Sequence, residues 1–136
     1  MTALTEEFPD PERRVRDFLA GMVAEFPPDF AGVVVSVGLP GDWTPGDAPR
    51  LAVTCDYEHE THAWARPGAV LQRATIRVVA WADTPTRVKR LARVAHAAML
   101  RYPATPNTGV SATVDPGNRA PIAYFTVQVA HKPLAQ

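Results

Sequence analysis

The side chains best suited to chemistry lie together in the stretch Cys55-Asp56-Tyr57-Glu58-His59-Glu60-Thr61-His62. Histidine, cysteine and carboxylate are the ligand types that hold zinc and related ions. His59 and His62 stand three residues apart, which is not the i, i+4 spacing of a helical HExxH site. On an alternating strand Cys55, Tyr57 and His59 would face one way and His62 the other, which scatters the donors. The stretch reads as a polar hairpin end. A small metal-dependent enzyme centred on Asp56, His59 and His62 is the alternative. Cys55, to act as a nucleophile, would need His59, His62, His96 or His131 beside it. A lone cysteine in strand context reads instead as a small buried hydrophobe. His96 falls about 40° from Ala92 on a helical wheel and reads as a core-boundary histidine. No glycine-rich turn runs from a strand into a helix, and no GxSxG elbow occurs. No catalytic residue, metal ligand or cofactor is assigned.

Residues suited to contact are more numerous. Trp43 and Trp64 fall in expected loops, where a tryptophan either tucks against the loop's own base or is offered to a partner. Asp42, Asp47, Glu58 and Glu60 supply acidic groups in the same regions, and Arg87, Arg90, Arg93 and Arg101 line one side of the second expected helix. Those arginines form a solvated face, pair with acids of a neighbouring copy, or line a passage for DNA phosphates. These ten residues are the candidate subunit or partner interface. The charge distribution supports the idea. Fourteen basic residues balance fourteen acidic ones overall, yet residues 1–60 hold twelve acids and four bases, and residues 61–136 two acids and ten bases. Opposite potentials on two surfaces would draw copies together head to tail, and such contacts close into rings when the rotation permits.

The zero net charge argues against non-specific nucleic-acid binding as the main task. With 136 residues the chain has one domain's length, enough to bury a core without disulfide or metal. One cysteine excludes an internal disulfide. No run of about 18 apolar residues spans a membrane, and the acidic start is not a secretory signal, so the chain reads as soluble and intracellular. Fourteen prolines punctuate it into short elements between rigid loops.

Residues 1–9 lack periodicity and read as an arm, residues 10–132 as the domain and 133–136 as a tail. Asp10 and Pro11 open a helix whose apolar stripe runs Val15, Phe18, Leu19, Met22, Val23 and Phe26, ending at Pro27-Pro28. Residues 33–37 and 51–57 read as strands joined by a Pro/Gly-rich loop over 38–49. Residues 58–68 are a hairpin tip or an ordered loop. Residues 70–81 read as the longest strand, covered on both faces at its apolar end. Asp83-Thr84-Pro85 opens a second helix with Val88, Leu91, Ala92, Ala95, Ala98 and Met99 on one arc. Strands follow at 109–114 and 122–131. The order α-β-β-β-α-β-β describes a single α+β domain with about five mostly antiparallel strands and both helices packed on a sheet face.

This order and texture resemble the tail terminator proteins of long-tailed, siphovirus-type bacteriophages. The nearest likeness is residues 73–100, an Arg-and-apolar strand stopping at Trp81-Ala82-Asp83 before the Ala/Arg-rich helix reading LARVAHAAML. The resemblance implies a structural virion protein at the head-proximal end of the tail, assembled in the host cytoplasm. It implies a ring, typically a hexamer, that caps the tail tube, stops its polymerisation and meets the head-completion proteins while DNA passes through its centre. Another head–tail connector or stopper is the alternative within that class. The resemblance implies no catalysis, and carries over no individual site residue.

Overall fold

In a computed structural model, residues 9–38, 43–44, 46–62, 70–102, 104–106, 108–114 and 119–132 are described; at 57–62, 70–71 and 105–106 the description covers the backbone alone. Helix α1 spans Pro11–Met22. The Asp10 carboxylate accepts the N–H groups of Glu12 and Arg13 at 3.1 and 3.3 Å, satisfying two donors the helix itself leaves unpaired. The α-helix stops at Met22, earlier than the apolar stripe suggests. A 3-10 turn at Val23–Glu25 continues it, and a second, Pro28–Phe30, buries Phe30 completely.

The remaining elements are β1 (Val34–Val37), β2 (Arg50–His62), β3 (Val70–Trp81), α2 (Pro85–Met99), β4 (Ala104–Pro106), β5 (Ser111–Val114) and β6 (Pro121–His131). The expected order stands, with β4 as a three-residue addition. Strand β2, at 13 residues, is longer than the 12-residue β3, the strand expected to be longest. Threonine caps α2: the Thr84 hydroxyl accepts the Arg87 N–H at 3.2 Å, while Asp83 pairs with the Arg87 guanidinium.

One sheet runs β1-β2-β3-β6, and β5 and β4 share the far side of β6. Only β1 and β2 are parallel. A parallel pair needs a crossover of a dozen or so residues, and residues 38–49 supply it. Both helices pack on one face, where Val15, Leu19, Leu91, Ala95 and Met99 meet Leu51, Val53, Ile76, Val78, Phe125 and Val127. Small residues on α2 let it approach closely. The opposite face has a smaller cluster of Trp43, Ala52, Val79, Trp81 and Ala120 at one end. The apolar end of β3 is therefore covered on both sides, as expected. No helix among the described residues is long and apolar enough to cross a membrane.

Candidate functional site

The basic side of α2 is engaged within the chain. Arg87 pairs with Asp83 at 2.7 Å, Arg90 with Asp29, and Arg101 with Glu25 at 2.9 Å. Arg87 and Arg90 also sit over the Phe30 ring, 5.7 and 5.2 Å from its centroid. The contacts of Arg87 and Arg90 to Asp29 and Phe30 clip the Pro28–Phe30 turn onto the helix. Arg93 is exposed and has no ion pair among the described residues. The acidic and basic halves of the sequence thus meet inside one subunit at Asp29–Arg90 and Glu25–Arg101, and again at Asp56–Arg77, 3.1 Å apart. Exposed pairs like these contribute little individually, but they occupy arginines expected to reach a neighbour. A groove of about 230 Å³ lies below Glu25 and Arg101, walled by Met22, Phe26, Val94 and Ala98.

Of its two expected roles Trp43 takes the tucked one, which removes it from the candidate interface. It is 2% exposed, lies against Trp81 and Val79, and donates its indole N–H to the Ala48 carbonyl at 2.8 Å. Trp43 thereby covers one end of the second sheet face. Asp47 closes the turn beside it, accepting the Thr44 N–H at 2.8 Å. Asp42 and Trp64 lie outside the described residues. Glu58 and Glu60 lie in β2, opposite Ala74 and Gln72, with side chains outside the description.

The Asp/His stretch forms the far half of β2, paired with β3 as far as His62↔Val70, so the hairpin reading holds. A bulge between Cys55 and Tyr57 inserts Asp56 as an extra residue, interrupting the alternation that sequence reading assumed. Asp56 turns to Arg77. The side chains of His59 and His62 lie outside the description. Among the described residues, no three His, Cys, Asp or Glu side chains gather as a metal site.

Two features have no simple sequence signal. Glu12, in the first turn of α1, accepts the Cys55 N–H at 2.7 Å. Strand β1 ends opposite Val53, and the Glu12 carboxylate takes over as acceptor where β2 loses its neighbour. At the other end of α1, Phe18 stacks edge-on with Tyr102 at 5.0 Å, and the Tyr102 hydroxyl bonds His131 Nε2. Burial raises the Tyr102 pKa and lowers that of His131. Arg14 nearby lowers both. Burial thus favours the uncharged form of both groups, and Nδ1 of His131 is buried without a partner among the described residues.

Among the described residues, the surfaces left open to a partner are the sheet's edges and part of its second face. Val34, Val37 and Val114 are 45%, 44% and 53% exposed, and they are three of the four large exposed hydrophobics among the described residues. All three lie on the edge strands β1 and β5. Beyond the Trp43 cluster, the second face presents Thr54, Arg73, Thr75, Arg77, Thr126 and Gln128, and Arg77 lies 5.5 Å from the centre of the Tyr124 ring. That surface offers hydroxyls, an amide and guanidinium groups. Compared with known proteins, the sequence matches no protein-family model and no curated protein.

Proposed function

We propose that this chain is a structural assembly subunit of the tail-terminator kind. It closes into a ring with copies of itself, caps a tail tube, stops tube growth and presents a surface to head-completion proteins. The resemblance in element order supports this reading across residues 10–132. The observation that carries it is the placement of exposed valines on two opposite edges of one sheet. Apolar residues on an open strand edge invite pairing with another chain. A subunit with one such edge can dimerise; one with two opposed edges can propagate, and the propagation closes when each step turns. The bare face of the sheet, with Arg73 and Arg77, then becomes a common surface of the ring. A related head–tail connector would share this architecture, and the effect on tube growth separates the two.

The test is purified protein examined for mass and shape, then added to polymerising tail tube protein. The expected result is a closed oligomer of fixed copy number, seen as rings, that ends tube growth. A monomer at every concentration, with no effect on tube length, would overturn the proposal.

A further inference from the structure

Edge strands β1 and β5 lie at the same height on opposite sides of the sheet. The strand registers form three unbroken rows, Val34–Arg50–Trp81–Ile122–Thr113, Val35–Leu51–Ala80–Ala123–Ala112 and Ser36–Ala52–Val79–Tyr124–Ser111. A sideways step of one sheet width therefore brings β5 of one copy beside β1 of the next, at matching height. Direction also matches. Strand β2 runs with β1, β3 against it, β6 with it and β5 against it. A copy added in the same orientation thus sets β5 and β1 antiparallel, the more stable ladder.

The backbone groups are turned the right way. Val34 donates to the Pro49 carbonyl and Gly38 to that of Val53, so Val34, Ser36 and Gly38 face β2 while Val35 and Val37 turn outward. On β6, Thr126 donates to the Thr108 hydroxyl, and its carbonyl accepts the Thr108 N–H. Alternation then turns Tyr124 and Ile122 toward Ser111 and Thr113, which leaves Ala112 and Val114 outward on β5. Ala112 and Val35 occupy one row, so across the contact each can donate its N–H to the other's carbonyl. Natural edges are blunted by charge, proline or a bulge. Strand β1 is Val-Val-Ser-Val and β5 is Ser-Ala-Thr-Val, and neither carries a charge or a proline.

We infer that the occupant of each edge is a second copy of this chain, with β5 of one subunit pairing antiparallel to β1 of the next, Ala112 opposite Val35 and Thr113 opposite Val34. This rests on the assembly reading above and adds the contact that makes it. The two edges fit each other in length, height, direction and apolar character, and this chain carries both. Each added copy keeps its helices on the same side, so the bare faces with Arg73 and Arg77 join into one surface.

Ala112→Pro and Val35→Pro test the contact, since these two residues face each other across it. Each removes an outward N–H and no described hydrogen bond within the subunit. Each alone raises the self-association dissociation constant by about two- to tenfold, the net worth of one lost hydrogen bond. Mixed together, they yield a species of two copies, because one intact β1 edge meets one intact β5 edge and nothing remains to extend. In a second pair of variants, Val34→Lys with Thr113→Glu assembles more tightly than Val34→Lys with Thr113→Lys, since the two positions face each other. Normal oligomers from both proline variants would overturn this contact while leaving the assembly reading in place. A wild-type chain that stays monomeric throughout would overturn both.

Discussion

Glu12→Ala is the perturbation whose consequence follows most directly from the geometry. The Glu12 carboxylate accepts the Cys55 N–H at 2.7 Å, from a helix 43 residues away in sequence, at the point where β1 stops covering the edge of β2. A hydrogen bond to a charged acceptor contributes about 1.5–3 kcal/mol. Glu12 also lies in the first turn of α1, where a negative charge adds about 0.3–1 kcal/mol through the helix dipole. The site is half-buried and water reaches it in part, so the low end applies, and Glu12→Ala should cost about 2 kcal/mol in all. Glu12→Gln keeps an acceptor and removes the charge, so it should cost about half as much. Urea unfolding monitored by tryptophan fluorescence measures both, read as a shift of midpoint at constant slope. Amide exchange supplies the local readout: the Cys55 N–H should exchange faster in Glu12→Ala, with α2 amides slowed or hastened only by the change in global stability. Stability within about 0.5 kcal/mol of wild type, the spread of ordinary surface changes, together with unchanged Cys55 exchange, would refute the reasoning.

Leu91→Asp should prevent folding, because it buries an unpaired carboxylate between α2 and the sheet; Leu91→Ala should fold with a loss of about 2–5 kcal/mol by calorimetry or urea titration. Arg90→Glu should cost about 1 kcal/mol, since it sets a carboxylate beside Asp29 and strips a cation from the Phe30 ring, whereas Arg93→Glu should stay within about 0.5 kcal/mol. Stability should fall as the pH drops below the ordinary histidine value near 6.5. The lowered His131 pKa means the unfolded chain takes up the proton first, so stability is full above that value and declines down to the folded one. His131→Gln should flatten that part of the pH–stability curve.

The parts of the fold visible in sequence are those governed by local period. Val15, Leu19, Val88, Leu91, Ala95 and Met99 were identifiable as core from helical spacing alone, and the alternation of β6 marked Phe125 and Val127 in the same way. Pairing direction is not local. Nothing in Val34–Val37 distinguishes a parallel from an antiparallel neighbour, although the twelve-residue connection that a parallel pair requires stood in plain view as the loop over 38–49. Trp43 was undecided between a tucked and an offered role because the answer depends on a sheet face assembled from Ala52, Val79 and Trp81. Strand β4 is three residues long with a proline, too short to show a period. The bulge at Asp56 lacks the glycine that often announces one.

The arginines of α2 show the same division. Their clustering on one side of a helix was legible, but their partners were not: Asp29 and Glu25 lie 61 and 76 residues away in sequence. Separating the chain into an acidic and a basic half suggested contact between subunits, whereas the ion pairs join the halves within one. The edge strands are the converse. Short runs of small and β-branched residues looked unremarkable in sequence, and only the registers across the sheet placed Val35 and Ala112 in a common row.

Hydrogen exchange at the Val35 and Ala112 amides, followed across a dilution series alongside solution mass, tests the account most directly. Both N–H groups should be open in the dilute monomer and become protected together as the oligomer forms, while the Arg93 amide keeps one rate throughout. Equal exchange at both positions before and after assembly, or no assembly over the whole series, would contradict it.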